Sequence, residues 1–131
     1  MRVTRVTTAG RAPSAATYPS TPQAGRAPNS IFIGEVEAQT VVDEGARDLR
    51  LTEVTFKDGA RNRLHTHSSD QILVVTEGRG IVATRHEQRE IGVGDVAFIP
   101  AGEAHWHGAR PGSDMTHWSI TGQATTTIVD S

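Results

Sequence analysis

From Ile31 onward the chain breaks into short runs of β-branched and aromatic residues, LRLTEVTF, QILVVTE, GIVATR and DVAFIP. They are separated by the turn-forming clusters KDGA, EGRG and GVGD. This punctuation constrains the fold more than any other feature. Val, Ile, Thr and Phe fit a pleated surface, and Gly-Asp clusters let the backbone reverse. No segment keeps apolar residues at the 3.6-residue period that a helix needs. About ten strands in roughly 100 residues predict an all-β domain, an antiparallel jelly roll or β-barrel. The chain has 131 residues, enough for one such domain with a core of its own.

Residues 1–29 have a different composition. RVTRVT reads as a short strand. The stretch that follows, TTAGRAPSAATYPSTPQAGRAPNS, is rich in Ala, Pro, Ser, Gly and Thr and has no acidic residue. Such a segment offers little apolar surface to offset its ordering entropy. The expectation is a loose arm over residues 1–29, able to drape over a partner subunit, and a single domain over 30–131.

Composition removes several function classes. With no cysteine, disulfides, thiolate metal sites and thiol catalysis are excluded. No apolar run approaches the roughly 18 residues of a membrane span, and the N-terminus lacks the apolar centre of a secretory signal. A cytoplasmic protein is expected. The formal net charge is −2, with no basic stripe to follow a phosphate backbone, so neither nucleic acid nor a membrane is an expected partner.

What remains is a set of histidines. Side chains at i and i+2 of a strand share a face, so His65 and His67 are cofacial, as are His105 and His107. Gln71 follows the turn SSD and opens the next strand, sharing a face with Leu73 and Val75. Ile72 and Val74 make the other face of that strand apolar too. A strand apolar on both faces is covered on both, which points to a core on one side and a subunit contact, in a homodimer, on the other.

The pairs sit in longer patterns: Gly59, then His65-Thr66-His67, Gln71 and Gly78; and Gly94, then Pro100-Ala101-Gly102 and His105. These resemble the two motifs of the cupin superfamily, over about residues 35–121. Gln71 stands where the first motif usually has Glu, and Ala109 where the second often has Asn. The resemblance implies that His65, His67, Gln71 and His105 hold one divalent transition metal. Imidazole and oxygen donors suit Mn, Fe, Co, Ni or Zn, and manganese is the expectation. An amide donates an oxygen but no charge. The site then stays formally dicationic, which favours Lewis-acid chemistry over oxygen chemistry.

The stretch HWHGARPGSDMTHWSI is similar to small bacterial cupins that include manganese-dependent hydroxynitrile lyases. The resemblance implies proton-handling roles for His107 and His117 and pocket-wall roles for Val54, Asn62, Leu64 and Thr121. The wall is altered: Leu64 stands in place of Trp, Asn62 of Thr and Thr121 of Gln. For His117 the two signals conflict, because apolar periodicity places Trp118 in the core and His117 outside. His86 is expected on a charged hairpin tip, Trp106 in packing away from the ligands, and Glu53, Glu103 and Asp114 at the surface. The expected function is a metal-dependent lyase acting on a small molecule. The alternatives are another cupin enzyme (a dioxygenase, isomerase or polyketide cyclase) or a binding cupin without catalysis.

Overall fold

The computed structural model describes residues 1–18 and 30–130. Among them the one helical segment is a single 3-10 turn, Thr8–Gly10. The remaining regular structure is twelve strands: β1 (Ala12–Pro13), β2 (Phe32–Ile33), β3 (Val36–Val42), β4 (Leu49–Phe56), β5 (Arg61–Asn62), β6 (His65–His67), β7 (Gln71–Thr84), β8 (Gln88–Gly92), β9 (Val96–Ile99), β10 (His105–Ala109), β11 (Met115–Gly122) and β12 (Thr126–Ile128). Neighbouring strands pair antiparallel throughout, in the order β1-β3-β4-β11-β7-β10-β5-β2, with β6 joining β10 to β12 and with β8 and β9 along β7. The curled antiparallel β-fold expected from the sequence is the one observed.

The long strand β7 belongs to two sheets. Its first part pairs with β9 and β11, and its second part with β8 and β10. The corner is Gly78, with φ 72, where an added Cβ would run into the Asp114 carbonyl. The β7–β11 register slips between Thr116 and His117 at the same corner. The bend makes the two sheets face each other. The second sheet carries His65, His67, His105 and His107; the first carries Gln71 and His117.

Register sorts the inner face of the first sheet into rows. Val36, Phe56 and Met115 form an apolar row, each buried to 2% exposure or less. Next come Ala38, Val54, His117 and Val75, then Thr40, Thr52, Ser119 and Leu73. Arg50, Thr121 and Gln71 close the series. The face therefore grades from apolar to polar, and the histidines open above the apolar end. Emptying a fully buried Phe site costs about 3–5 kcal/mol, so Phe56 anchors both the core and the site floor.

Three details depart from the sequence expectations. RVTRVT forms no strand, and Val3 is exposed; β-branched residues make no strand without an edge to pair with or a face to bury. Pairing begins instead at β1, which lies along β3. Residues 19–29 of the expected arm lie outside the described residues. Glu53, expected at the surface, is buried at 5% exposure. The Arg11 guanidinium donates to its Oε1 at 2.7 Å, and the Gln39 amide donates to the same oxygen at 2.9 Å. Strand alternation turns Glu53 away from the inner face of Val54, and the N-terminal segment covers it there. Glu103 and Asp114 are exposed, as expected.

Candidate metal centre and histidine pair

Strand β6 lies between β10 and β12, and His65 and His105 are direct register partners. The ligand atoms of His65, His67 and His105 all lie within 4.8 Å of one another. Their protons are set by the backbone. Nδ1–H of His65 donates to the Arg63 carbonyl at 2.6 Å, and Nδ1–H of His105 donates to the Glu103 carbonyl at 2.9 Å. A carbonyl only accepts, so each ring keeps its proton on Nδ1 and presents a lone pair at Nε2. His67 Nδ1 lies 2.8 Å from the Thr126 hydroxyl, and its buried Nε2 has no partner among the described residues.

Gln71 completes the set. Its amide nitrogen donates to the Ser119 hydroxyl at 2.8 Å, and its Oε1 then lies 2.9 Å from His105 Nε2. Both facing atoms are acceptors. They repel unless a proton or a cation lies between them. Burial disfavours the proton: desolvation lowers the pKa of His105 against the raising effect of its bond to Glu103. Burial, and then the neighbouring His105, takes His67 down to about 4, and the same two causes hold His65 well below its ordinary value. Neutral imidazole lone pairs, one orphaned, converge on an amide oxygen. This donor set fits a divalent transition cation.

His65, His67 and Gln71 border a cavity of about 620 Å³, lined also by Val54, Asn62, Thr121, His107 and His117, while His105 stands behind that lining. Leu64 is not part of that lining. It is half-buried at a bend immediately before β6.

His107 and His117 form a linked pair, with His117 Nε2 2.9 Å from His107 Nδ1. Asn62 orients it. Its Oδ1 accepts the His107 backbone N–H at 2.8 Å, which turns its amide nitrogen toward His107 Nε2 at 3.2 Å. His107 Nε2 is thus an acceptor, and its Nδ1–H donates to His117. The proton of His117 then sits on Nδ1, a buried atom with no partner among the described residues. Burial, then the facing His117, holds His107 well below its ordinary pKa, and burial takes His117 to about 4. Phe56 packs against both rings, perpendicular to that of His107 and tilted against that of His117.

The conflict over His117 resolves inward. His117 is completely buried, and Trp118, half-buried, faces the other side of the sheet. His86 is exposed, and Trp106 stacks under the Arg61 guanidinium, 4.2 Å from its ring centroid. Sequence reasoning missed the Ser119 and Thr126 hydroxyls that orient Gln71 and His67. Ser119 shares a strand face with His117, a signal that could have flagged it. It also missed Ser14, Ala16 and Tyr18, which line the cavity from the N-terminal segment.

Comparison with known proteins agrees with this geometry. Residues 52–121 match the Cupin domain family. An (R)-mandelonitrile lyase of Granulicella tundricola is 40% identical over 100 residues, 73% of this chain and 75% of that protein. A cupin-like protein from Thermotoga maritima superposes with a TM-score of 0.69 at 33% identity, covering 79% of this chain and 80% of its own. A polyketide cyclase from Streptomyces resistomycificus gives a TM-score of 0.72 over 92% of this chain and 80% of its own; at 20% identity this likeness shows the fold alone. With its three-histidine cluster and its two facing sheets, the chain belongs to the cupin family.

Proposed function

We propose that the chain is a metal-dependent lyase of the hydroxynitrile-lyase type, splitting a cyanohydrin into a carbonyl compound and hydrogen cyanide. The observation that carries this reading is a hydrogen-bonded histidine pair in the same cavity as His65 and His67, whose lone pairs converge with that of His105. The likeness to a mandelonitrile lyase supports it.

His65, His67, His105 and Gln71 would hold the metal, with manganese the reading for this nitrogen and oxygen set. When bound, the metal supplies Lewis acidity toward a substrate oxygen and an electrostatic hold on anions. The remaining work falls to the chain. His107 Nε2, exchanging its 3.2 Å contact with the Asn62 amide for the substrate hydroxyl, accepts the cyanohydrin proton, with His117 bonded to the other ring nitrogen. As the carbonyl forms, the C–C bond breaks and its electron pair leaves with cyanide. The same pair returns the proton to give hydrogen cyanide, so atoms and charge balance. Asn62 keeps His107 in one tautomer, and Phe56, Val54 and Ala38 keep the apolar end of the cavity dry.

The experiment is elemental analysis of purified protein beside a mandelonitrile cleavage assay. One equivalent of metal with cleavage is expected, and His107→Ala should abolish cleavage while metal stays bound. Protein that takes up no metal from supplemented medium, or that holds metal and cleaves nothing, overturns the reading. We also infer a homodimer through the outer face of β7, β9 and β11. There Ile72 lies in register between Phe98 and Ile120, and Phe98 is 62% exposed. A monomer in sedimentation equilibrium would refute that part.

A further inference from the structure

We propose that residues 11–18 are a latched wall of the cavity, with Arg11 as the latch and Tyr18 as the side chain that meets an aromatic ligand. The ligand class rests on the lyase reading above; the wall and its latch do not.

The first observation is a period of two. Ser14, Ala16 and Tyr18 are half-buried and line the cavity, whereas Pro13, Ala15 and Thr17 are exposed. An extended segment with one face on a cavity has this alternation. Backbone bonds fix it there. The Ser14 N–H donates to the Val36 carbonyl at 2.8 Å, the Ile31 N–H donates to the Ala16 carbonyl at 2.9 Å, and Thr17 forms a β-bridge with Ser30. The segment lies outside residues 52–121, the part of the chain that matches the Cupin domain family.

The second observation lies on the opposite face of the first sheet. Arg11 Nε donates to Glu53 Oε1 at 2.7 Å and Nη2 to Glu77 Oε1 at 3.0 Å, with the Arg11 side chain only 11% exposed. Gln39 ties the same region down, donating to the Thr7 carbonyl at 2.8 Å as well as to Glu53. The segment therefore wraps the β3 edge. Its ion pair sits on one side of the sheet, and its alternating side chains sit in the cavity on the other. Charge-assisted forks of this kind hold a backbone more firmly than neutral bonds.

The third observation is chemical. Tyr18 stands in the same lining as Ile31, Phe32 and Phe56. A phenol offers a flat apolar face and one polar tip. That combination suits a ring-bearing carbonyl compound, and it comes from a segment outside residues 52–121.

Tyr18 is the only tyrosine in the chain, so 3-fluorotyrosine gives a single 19F resonance from the wall itself. The sample is full-length, zinc-loaded protein, with a soluble gadolinium chelate too bulky for the cavity as one probe and benzaldehyde as the other. In the intact chain the resonance should resist broadening by the chelate and shift saturably with benzaldehyde. In Arg11→Ala it should broaden several-fold more and lose the saturable shift, while circular dichroism stays native. Should Arg11→Ala fold poorly because Glu53 is left unpaired, Arg11→Ala/Glu53→Gln removes that orphan and gives the same readout. A resonance as accessible in the intact chain as in the variant overturns the wall. One equally protected in both overturns the latch. A resonance that benzaldehyde never moves, up to its solubility limit, overturns the ligand contact whether or not mandelonitrile is cleaved. The cleavage assay on the same sample reports separately on the lyase reading.

Discussion

The two faces of the first sheet both bury polar groups, and they do so in opposite ways. On the outer face Glu53 is buried at 5% exposure, and its carboxylate is met by Arg11 and Gln39. Beside it Thr55 and Thr116 bond to each other at 2.9 Å. On the inner side His117 Nδ1, and His67 Nε2 on the facing second sheet, are buried without a partner among the described residues, and Gln71 Oε1 faces another acceptor. A buried polar atom left unpaired costs about 1–3 kcal/mol. A fold keeps such atoms only where something else satisfies them. The satisfied face is structural, and the unsatisfied one is where a ligand belongs.

The largest expected effect tests that division directly. His105→Ala removes a central lone pair and the facing partner of Gln71. Metal affinity should fall by orders of magnitude, read as loss of bound metal after dialysis, with the fold retained by circular dichroism. Metal that stays bound at full occupancy would break the comparison, since the inner orphans would then have no ligand of this kind. Next is His107→Ala. It should leave metal content intact and lower turnover by about 10²–10⁴-fold, the range for a proton-transfer group. Equal losses of metal and turnover would make His107 a supporting residue instead.

Glu53→Ala probes the other face. Removing one partner of a buried ion pair costs about 3–5 kcal/mol, and since Glu77 keeps a hold on Arg11 the low end, about 3 kcal/mol, is expected in urea unfolding. Metal content should not change. A destabilisation under about 1 kcal/mol would class this pair with exposed surface bridges.

Acid separates the faces by where stability is lost. His67 and His117 titrate at about 4 in the metal-free fold against an ordinary 6.5. Above about 6.5 both states are neutral. Between about 6.5 and 4 the unfolded chain binds protons that the fold refuses, so stability falls as pH falls. On the outer face burial pulls the Glu53 carboxyl up, but the bonds from Arg11 and Gln39 outweigh it and hold the group below 4.5. Its contribution is intact above that value and is lost only as pH drops through the lowered pKa. Thermal melts of metal-free protein should therefore show two acid limbs. His117→Gln should flatten the upper limb and Glu53→Gln the lower. A single limb unaffected by His117→Gln would show that burial of this ring does not set its charge.

The sequence disclosed the inner face better than the outer one. Period-two spacing puts His65 with His67 and His105 with His107, and Gly78, which closes the first motif, sits at the corner between the two sheets. These are local signals, read within a few residues. Glu53 and Arg11 are 42 positions apart, and nothing local links them, so a buried carboxylate was read as surface. His117 was legible only through resemblance, because its own strand alternates Trp118 and Ile120 against it, and those apolar residues face the outer side. The wall at Ser14, Ala16 and Tyr18 went unread because small residues in a Pro-rich stretch carry no periodic signal. Leu64 is the reverse case: its position matches a pocket wall by resemblance, yet it lies at a bend before β6 and off the cavity lining.

That placement gives the smallest effect and the finest test. Val54 is buried at 9% exposure in the row of His117, and it lines the cavity. Leu64 is half-buried and lies off the lining. Trimming a pocket wall by a carbon or two is worth about 1–3 kcal/mol in discrimination between substrates. Val54→Ala should therefore change the kcat/KM ratio between a bulky and a small cyanohydrin by about tenfold, at the low end of that range because only two methyl groups are lost. Leu64→Ala removes more carbon, and if residue volume alone set selectivity it would matter more. It lies outside the cavity lining, so the ratio should stay within about twofold, the scatter of a substitution remote from the pocket. A shift at Leu64 as large as that at Val54 would put the bend before His65 in the cavity wall, and selectivity would then not be set by the inner face that carries Val54 and His117.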